Sequence, residues 1–479
     1  MPLLSNLRTV VSLESTSIIF LLPIAIFVSF WLLPALHGFI VSPTRRVPGP
    51  LLTRFTKWWE YRAVLKGDSN LEYIRLHEKY GSVVRMGPNR YSFTRPQDIK
   101  VIYELGGSFA KSAYYSPLGD PPNLFAMRDR NEHKDRRRKI SSLFTMSTII
   151  SYEDAVDRMT RVCIRKLRQF ADENRLFSLP QFAQYYAFDV IGEITFGQSF
   201  DMMENEGDVH DMIKGIHWVN DYISTNGIVP ELHPWLRWLS ELLGKESPAA
   251  IVRRYTATQI EKHREKNAFA SENSKYDTFL KKLMDLETAH RIAADNMFDA
   301  AGANIAAGSD TTAISLSATF FYLYKNPEKL ASLRHEIDTM AGEGRISDPV
   351  TFQEAQNMPY LQAVIKETLR IHPAVGTMLA RVVPEGGANL AGVNFPEGSE
   401  VGANAWALHY SKDIYGPDAH EFKPERWLKL NDGKSDPREA VWIPVRMSPK
   451  HVDKKLIITL TSLELAREPA LGKISASSS

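Results

Sequence analysis

Apolar residues recur at helical spacing along most of this chain. Val156, Met159, Cys163, Leu167 and Phe170 follow one another at intervals of three and four residues, which places them on one face of a helix. The same spacing predicts further helices at 182–196, 292–324, 327–340 and 359–372. The pattern as a whole is typical of a mainly α protein.

A second pattern follows these helices. Between residues 379 and 409, apolar residues alternate with Gly and Pro turns, which predicts short β-hairpins. Short strands are also expected near residue 60, at the other end of the helical region. No internal repeat, low-complexity run or second linker interrupts residues 61–430. We therefore expect one large α+β domain over this range, mainly helical and with small β-sheets.

The long helix predicted at 292–324 contains an unusual polar insertion, AAGSDTTA, at residues 306–313. A glycine such as Gly308 costs a helix interior about 1 kcal/mol relative to alanine, and a buried unpaired carboxylate costs more. The hydroxyl of Thr311 can bond the carbonyl of Ala307 and loosen the helix. The resulting groove could hold a small polar molecule, to which Asp310 could pass protons. The alternative is a helix interface of small residues, with Asp310 reaching solvent.

The N-terminal part of the chain has no such amphipathic pattern. No charged residue lies between Glu14 and Arg45, and about 20 apolar residues suffice for a helix to cross a bilayer. A cleaved signal peptide is the alternative, but its apolar core would span only about 7–15 residues. Because arginines follow the apolar segment, the large C-terminal part is expected on the cytosolic side. The predicted segments are a lumenal N-terminus at 1–16, a transmembrane anchor at 17–41, a proline-rich hinge at 42–60, a catalytic domain at 61–430 and an atypical tail at 431–479.

Composition narrows the function further. The 479 residues are 44% hydrophobic and 24% charged, which is typical of a folded globular protein. The net charge of +2 gives no nucleic-acid-binding signature. The single cysteine, Cys163, excludes a disulfide framework and a cysteine-rich zinc site.

Several motifs resemble the cytochrome P-450 haem-thiolate monooxygenases. AGSDTT resembles the oxygen-binding signature in the long central helix of that family, and KETLR supplies its Glu-x-x-Arg pair, Glu367 and Arg370. FKPERW resembles the motif whose arginine, here Arg426, completes that network. The resemblance covers about residues 45–430 in the family's order, and AFDVIGEITFG is similar to fungal members. The anchor and hinge match the microsomal form, which implies a single-pass protein of the endoplasmic reticulum membrane.

The resemblance also implies a cofactor, which is haem b with its iron. His133 and Arg137, in EHKDRRRKISSLFT, and Arg381, in the hairpin region, would contact the haem propionates, because arginine forms paired hydrogen bonds with carboxylates. Ala307 and Gly308 would lie against the haem. In this family a cysteine thiolate on the iron favours cleavage of dioxygen.

The implied reaction inserts one oxygen atom into a hydrophobic small molecule. Asp310 would relay protons, and Thr311 would bond the bound oxygen or its water. Electrons would come from NADPH through a separate cytochrome reductase. Substrate contacts are expected from residues 112–126, 215–238 and 373–378 and from the central helix before Ala307. For the tryptophan-rich part of 215–238, contact with membrane lipid is the alternative.

The sequence departs from the family after Arg426. The family's loop Phe-x-x-Gly-x-x-x-Cys-x-Gly, whose cysteine binds the iron, has no counterpart in residues 431–479. Cys163 lies on a helical apolar stripe and is expected to be a core thiol; His451 has no comparable surroundings. The expected cytochrome P-450 fold is therefore C-terminally incomplete. Two hypotheses follow: a monooxygenase whose C-terminal sequence results from a wrong exon boundary or frameshift, and a truncated, non-catalytic haem- or ligand-binding scaffold.

Overall fold

A computed structural model describes residues 42–118, 122–244, 249–269 and 277–428. The predicted lumenal segment, the anchor at 17–41 and the tail at 431–479 lie outside these residues. Among the described helices, none combines the length and apolar character that a membrane crossing requires. The described chain is mainly helical with small sheets, and it divides into two compact units.

Unit 1 joins two stretches that are far apart in sequence, 42–110 and 378–404. Its α-helices are α1 (Trp58–Leu65), α2 (Ser69–Tyr80) and α3 (Pro96–Ile102). Its strands are β1 (Val83–Gly87), β2 (Arg90–Phe93), β3 (Ala110–Lys111, where the unit ends), β4 (Arg381–Val382), β5 (Ala388–Leu390), β6 (Val393–Phe395) and β7 (Glu400–Gly402). The larger sheet has the order β1-β2-β7-β4-β3, and β5 pairs with β6 in a hairpin.

Strand pairing explains why unit 1 is discontinuous in sequence. β2 pairs in parallel with β7, so that Arg90 lies opposite Glu400. Arg90 is fully buried and donates from Nε to Oε2 of Glu60 at 2.7 Å and from Nη1 to Oε2 of Glu400 at 2.6 Å. A buried charge requires such partners because it has lost its hydration. The single domain predicted from sequence thus contains a unit that is assembled from its first part and from an internal stretch, 378–404.

The predicted proline-rich hinge at 42–60 is partly helical and packed. Pro43–Arg46 and Leu51–Arg54 are 3₁₀ helices, and the α1 helix begins within the same range. Thr44 is buried, and its hydroxyl lies 2.8 Å from the hydroxyl of Tyr91. This stretch is therefore packed as part of unit 1, because short proline-started turns can bury side chains that an extended spacer would expose.

Unit 2 comprises the described parts of 111–377 and 405–428. Its α-helices are α4 (Arg130–Ile140), α5 (Met146–Ile150), α6 (Glu153–Asp172), α7 (Leu179–Phe196), α8 (Met202–Asn205), α9 (Met212–Asn226), α10 (His233–Leu242), α11 (Ala249–Phe269), α12 (Phe279–Thr288), α13 (Ala294–Lys325), α14 (Pro327–Gly342), α15 (Phe352–Gln356), α16 (Pro359–Ile371), α17 (Ala405–His409) and α18 (Lys412–Tyr415). Its 3₁₀ helices are Ala113–Leu118, Ser141–Phe144, Val209–Asp211, Pro230–Leu232 and Pro424–Trp427.

The core of unit 2 forms where the long helix α13 packs along α7. Nearly all of α7 from Phe182 onward is buried, including the carboxyl groups of Asp189 and Glu193 among mostly apolar side chains. Between the two helices, Asn304 donates from Nδ2 to Oγ1 of Thr195 at 2.8 Å. The helices predicted at 182–196 and 292–324 correspond to α7 and α13. Both ends of each helix lie within three residues of the predicted boundaries.

Candidate functional site

The polar insertion of the sequence lies in the middle of α13, which runs without a break from Ala294 to Lys325. Ala306 and Ala307 are exposed there, although Ile305 and Ser309 on either side are buried. Gly308 and Thr311 are half-buried. Small exposed residues in a helix that otherwise belongs to the core leave room beside its backbone. The insertion therefore opens one face of the helix without interrupting it.

Thr311 makes the backbone contact expected from its sequence position. Its Oγ1 donates to the carbonyl of Ala307 at 2.8 Å. Ser309, Ser315 and Thr319 also donate to the carbonyl four residues earlier, but these three side chains are buried. Ser317, which is half-buried like Thr311, donates in the same way to the carbonyl of Ala313. The Thr311 hydroxyl keeps lone pairs with which it can accept a hydrogen bond from a bound molecule.

Asp310 is buried and held by two neutral amides. Gln184 of α7 donates from Nε2 to Oδ1, and Asn220 of α9 donates from Nδ2 to Oδ2, both at 2.8 Å. Nε2 of His217, on α9, lies 4.0 Å from Oδ1 of Asp310. Burial raises the pKa of Asp310, while the two amides and His217 act in the opposite direction. The alternative interpretation, a helix interface with Asp310 reaching solvent, therefore disagrees with the structure, in which Asp310 is buried.

Gln184, His217 and Asn220 were not among the predicted site residues. Sequence alone offered no clear signal for Gln184, because α7 also carries other polar side chains such as Asp189 and Glu193. His217 and Asn220 lie three residues apart on α9, and so they share a helix face. Which face of α9 meets α13 depends on tertiary packing, and no motif in the sequence encodes it.

The structure brings Glu367, Arg370 and Arg426 together in a fully enclosed ion network. Arg370 donates to Oε2 of Glu367 from Nε at 2.9 Å and to Oε1 from Nη2 at 2.8 Å. Arg426 Nε also donates to Oε1, at 2.9 Å. The backbone N–H of Lys423 and the indole N–H of Trp427 donate to the same carboxylate, each at 2.9 Å. One buried anion therefore organises the connection between α16 and the 3₁₀ helix Pro424–Trp427.

Arg370 extends this network to backbone carbonyls. Its Nη1 donates to the carbonyls of His409 at 2.8 Å and Ala419 at 2.6 Å, and its Nη2 donates to that of Glu421 at 2.9 Å. The planar guanidinium suits this arrangement because its donors point in fixed directions. These contacts give Glu367 and Arg370 a structural role in the buried core of unit 2.

The residues predicted to contact propionates lie in both units. In unit 2, His133 and Arg137 are four residues apart on α4, with His133 half-buried and Arg137 exposed. In unit 1, Arg381 begins β4, where its guanidinium donates to the carbonyl of Ala380 at 3.2 Å and lies over the ring of Tyr103. The role of these two guanidinium groups and one imidazole toward a cofactor stays a prediction.

Cys163, the only thiol in the sequence, lies on α6 and is buried within the apolar core of unit 2. Burial raises the pKa of this thiol. A cysteine binds a metal as the thiolate, which burial in apolar surroundings disfavours. Cys163 therefore has the properties of a core residue, as the sequence predicted.

Comparisons with known proteins identify the family. The cytochrome P450 family profile matches residues 47–444. Two proteins named pisatin demethylase, both from Fusarium vanettenii, are 41% and 40% identical over 86% and 90% of this chain, and over 80% and 86% of their own lengths. A cytochrome P450 monooxygenase of Aspergillus terreus is 34% identical over 81% of each chain. The chain therefore belongs to the cytochrome P450 family, whose members are oxidoreductases.

Proteins of this family use haem iron, with electrons from a separate reductase. The residues of this chain fit that cofactor only in part. The open face of α13, with Thr311 beside Asp310, fits the side on which oxygen would bind. The thiolate ligand does not fit, because Cys163, the one thiol of the sequence, lies on α6 and is enclosed in the apolar core of unit 2. No reaction step can therefore be assigned to an iron ligated by these 479 residues.

Proposed function

We propose that this protein is a haem-dependent monooxygenase by descent, which inserts one atom of dioxygen into a hydrophobic small molecule in fungal secondary metabolism or detoxification. The open face of α13 carries this proposal, since exposed Ala306 and Ala307 adjoin a half-buried hydroxyl and a buried carboxyl. The similarity to pisatin demethylases supports a demethylation as the specific reaction.

Asp310 and Thr311 have complementary properties for this function. A carboxyl whose pKa is raised by burial can hold a proton at higher pH than an exposed one. The adjacent Thr311 hydroxyl can both donate and accept, so it can pass a proton between the carboxyl and a bound molecule. These properties belong to the residues of the chain and do not depend on which atom would ligate an iron.

A second candidate is a non-catalytic scaffold that binds haem or a ligand without activating oxygen. The position of Cys163 favours it, because no other thiol of the sequence can supply the thiolate. The scaffold hypothesis and the hypothesis of a wrong C-terminal sequence predict the same fold. They differ in what the transcript encodes after Trp427.

Membrane attachment and the reductase partner are also parts of the proposal. Besides the apolar segment 17–41, helix α10 has no buried residue and exposes Trp235 and Trp238 to 71% and 56%. Tryptophan favours the membrane interface, where one end of the ring is apolar and the other polar. We infer a single-pass protein on the cytosolic face of the endoplasmic reticulum, next to an NADPH-dependent reductase. Vesicle flotation with and without Trp235→Ser and Trp238→Ser tests the contribution of α10.

Two measurements test the proposed function. Sequencing of the transcript across codons 428–479 supports the monooxygenase if it reveals an in-frame loop with a cysteine, and contradicts it if the printed sequence is the one translated. Expression of the 479-residue chain, followed by the reduced carbon monoxide spectrum, tests the scaffold. We expect no thiolate-type Soret band. A band that disappears in Cys163→Ser would contradict the interpretation of Cys163 as a core thiol.

A further inference from the structure

A chain of short contacts connects an exposed imidazole with the buried carboxyl of Asp310. Nε2 of Gln184 lies 2.8 Å from Oδ1 of Asp310 and also 2.8 Å from Nε2 of His217. The side chain of His217 is 55% exposed, whereas that of Asp310 is 11% exposed. The amide of Gln184 therefore stands between solvent and the carboxyl, and the three side chains come from α9, α7 and α13.

The donors and acceptors of this chain permit few arrangements. An ionised carboxylate can only accept, so the amide group of Gln184 must present its NH₂ to Asp310. The second hydrogen of that NH₂ then points to His217, whose Nε2 must accept it. His217 is consequently neutral, with its hydrogen on Nδ1, in the arrangement that the structure records.

A proton added to His217 removes this arrangement. The imidazolium has hydrogens on both ring nitrogens and cannot accept from Gln184. If the amide turns over, its Oε1 can accept from His217 Nε2, but the same oxygen then faces Asp310. An ionised carboxylate has nothing to donate to that oxygen, whereas a protonated carboxyl does. The turned amide thus suits the state in which both His217 and Asp310 are protonated.

We propose that His217 is a positioning residue which, through the amide of Gln184, couples the proton occupancy of Asp310 to the solvent. This inference rests on the proposed function, in that Asp310 is the proton-holding group of the site. Of the three side chains that contact Asp310 among the described residues, Gln184 and Asn220 are neutral amides, and His217 alone can carry a charge.

Direct attraction between His217 and Asp310 makes the opposite prediction. A protonated His217 at 4.0 Å would favour the ionised carboxylate and oppose its protonation. That ion pair involves a largely exposed ring, and such pairs contribute little because solvent screens them. The two hydrogen bonds through Gln184 are shorter, at 2.8 Å each, and so we expect the amide to determine the sign of the coupling.

The test measures the protonation of Asp310 in the purified 479-residue chain and requires neither haem nor turnover. The infrared C=O stretching signal of the protonated carboxyl is followed against pH, and the Asp310 contribution is the part that Asp310→Asn removes. In His217→Gln, the new amide can accept from Gln184 at any pH, so that Gln184 can go on donating to the carboxylate where a protonated His217 would prevent it. We expect the titration midpoint of Asp310 to fall by roughly one pH unit.

His217→Gln in a Gln184→Met background separates the coupling through the Gln184 amide from the direct attraction between His217 and Asp310. Gln184→Met alone should raise the midpoint, since it removes a donor to the carboxylate, and His217→Gln should then have no further effect. In an Asn220→Leu background, the midpoint should also rise, but the effect of His217→Gln should persist. His335→Gln, the same change at an exposed position of α14, should leave the Asp310 midpoint where it is.

Several outcomes overturn the inference. A higher midpoint in His217→Gln, in both the wild-type and the Gln184→Met background, would assign the effect to direct attraction. An unchanged midpoint would mean that His217 and Asp310 are not coupled. If Asp310→Asn removes no titrating carboxyl signal, Asp310 is not the proton-holding group. Because His217 is exposed, His217→Gln is expected to fold, and circular dichroism checks this for every variant. The transcript and spectral tests of the proposed function can fail independently of these results.

Discussion

Arg426 donates from Nε to Oε1 of Glu367 at 2.9 Å, although 59 residues separate them in sequence. Both side chains are buried, and Glu367 also accepts from Arg370. Removal of one partner from a buried ion network leaves the other charges without compensation, at a cost of about 3–5 kcal/mol. We therefore expect Glu367→Gln to lower the free energy of unfolding by about that amount, as measured by urea denaturation.

An exposed pair of the same chain provides the control. Lys139 and Asp135 lie 2.7 Å apart on α4, with both side chains more than 40% exposed. Solvent screens exposed pairs, so Asp135→Asn should leave the unfolding free energy nearly unchanged. Equal effects of the two substitutions would mean that the Glu367 network does not stabilise unit 2.

Asp310→Asn should change how stability depends on pH. Burial raises the pKa of Asp310 above its ordinary value of 3.8, so the folded state binds this proton more strongly than the unfolded state. The corresponding stability is present below pH 3.8 and is lost as pH rises through the folded-state pKa. The difference in unfolding free energy, wild type minus Asp310→Asn, should therefore fall with rising pH in that window. A difference that is constant with pH would contradict a raised pKa.

Motif spacing predicted the parts of the site that lie on one helix, and it missed the parts that join helices. The Thr311 bond to Ala307 follows from helical geometry alone, and the Glu367–Arg370 pair follows from a three-residue spacing. The contacts of Asp310 with Gln184 and Asn220 bridge 126 and 90 residues. They depend on how three helices pack, which local sequence patterns do not specify.

The fold was predictable to a similar extent. Helical periodicity identified α6, α7, α13, α14 and α16, because each has an apolar stripe or an apolar run of sufficient length. The pairing of β2 with β7 was not predictable, since Arg90 and Glu400 are 310 residues apart and no turn connects their strands. The packing of the hinge residues 42–60 in unit 1 was missed for the same reason.

His409 provides a prediction for acid sensitivity. It is fully buried, and burial together with the charge of Arg370 lowers its pKa to about 3. The unfolded state therefore binds this proton first, and the stability contributed by neutral His409 is present above pH 6.5 and lost as pH falls toward 3. His409→Asn keeps an N–H that can donate to the carbonyl of Arg370, as Nδ1 does at 3.0 Å, without titrating.

The measurement is the unfolding free energy of wild type and His409→Asn between about pH 6 and 4. Their difference should change by about 1.4 kcal/mol per pH unit, the value for one proton. His77 gives a comparison from unit 1, because burial lowers its pKa only to about 4. The effect of His77→Asn should therefore level off at a higher pH than that of His409→Asn. Parallel stability curves for wild type and His409→Asn would show that His409 is not buried as a neutral ring.

Gly227 provides the last prediction, because its missing side chain makes room for Tyr114. A Cβ atom at Gly227 would lie 2.7 Å from the Tyr114 ring and 2.7 Å from the carbonyl oxygen of Ile223. Tyr114 is buried and donates its hydroxyl to Oγ1 of Thr377 at 3.0 Å. Tyr114, Gly227 and Thr377 thus bring together three of the segments predicted to contact substrate.

We expect Gly227→Ala to lower the unfolding free energy by about 1–3 kcal/mol, the usual cost of overpacking. The φ of Gly227 is −64°, so the cost comes from crowding and not from backbone conformation. The matched control is Gly342→Ala at the exposed end of α14, where a Cβ would meet nothing within 4 Å. That change should stabilise the chain by about 0.4–1 kcal/mol through the unfolded state. In a Tyr114→Leu background, Gly227→Ala should cost less, because the smaller side chain can move aside. If Gly227→Ala lowered the unfolding free energy just as much in that background, the crowding would come from the Ile223 carbonyl and not from Tyr114.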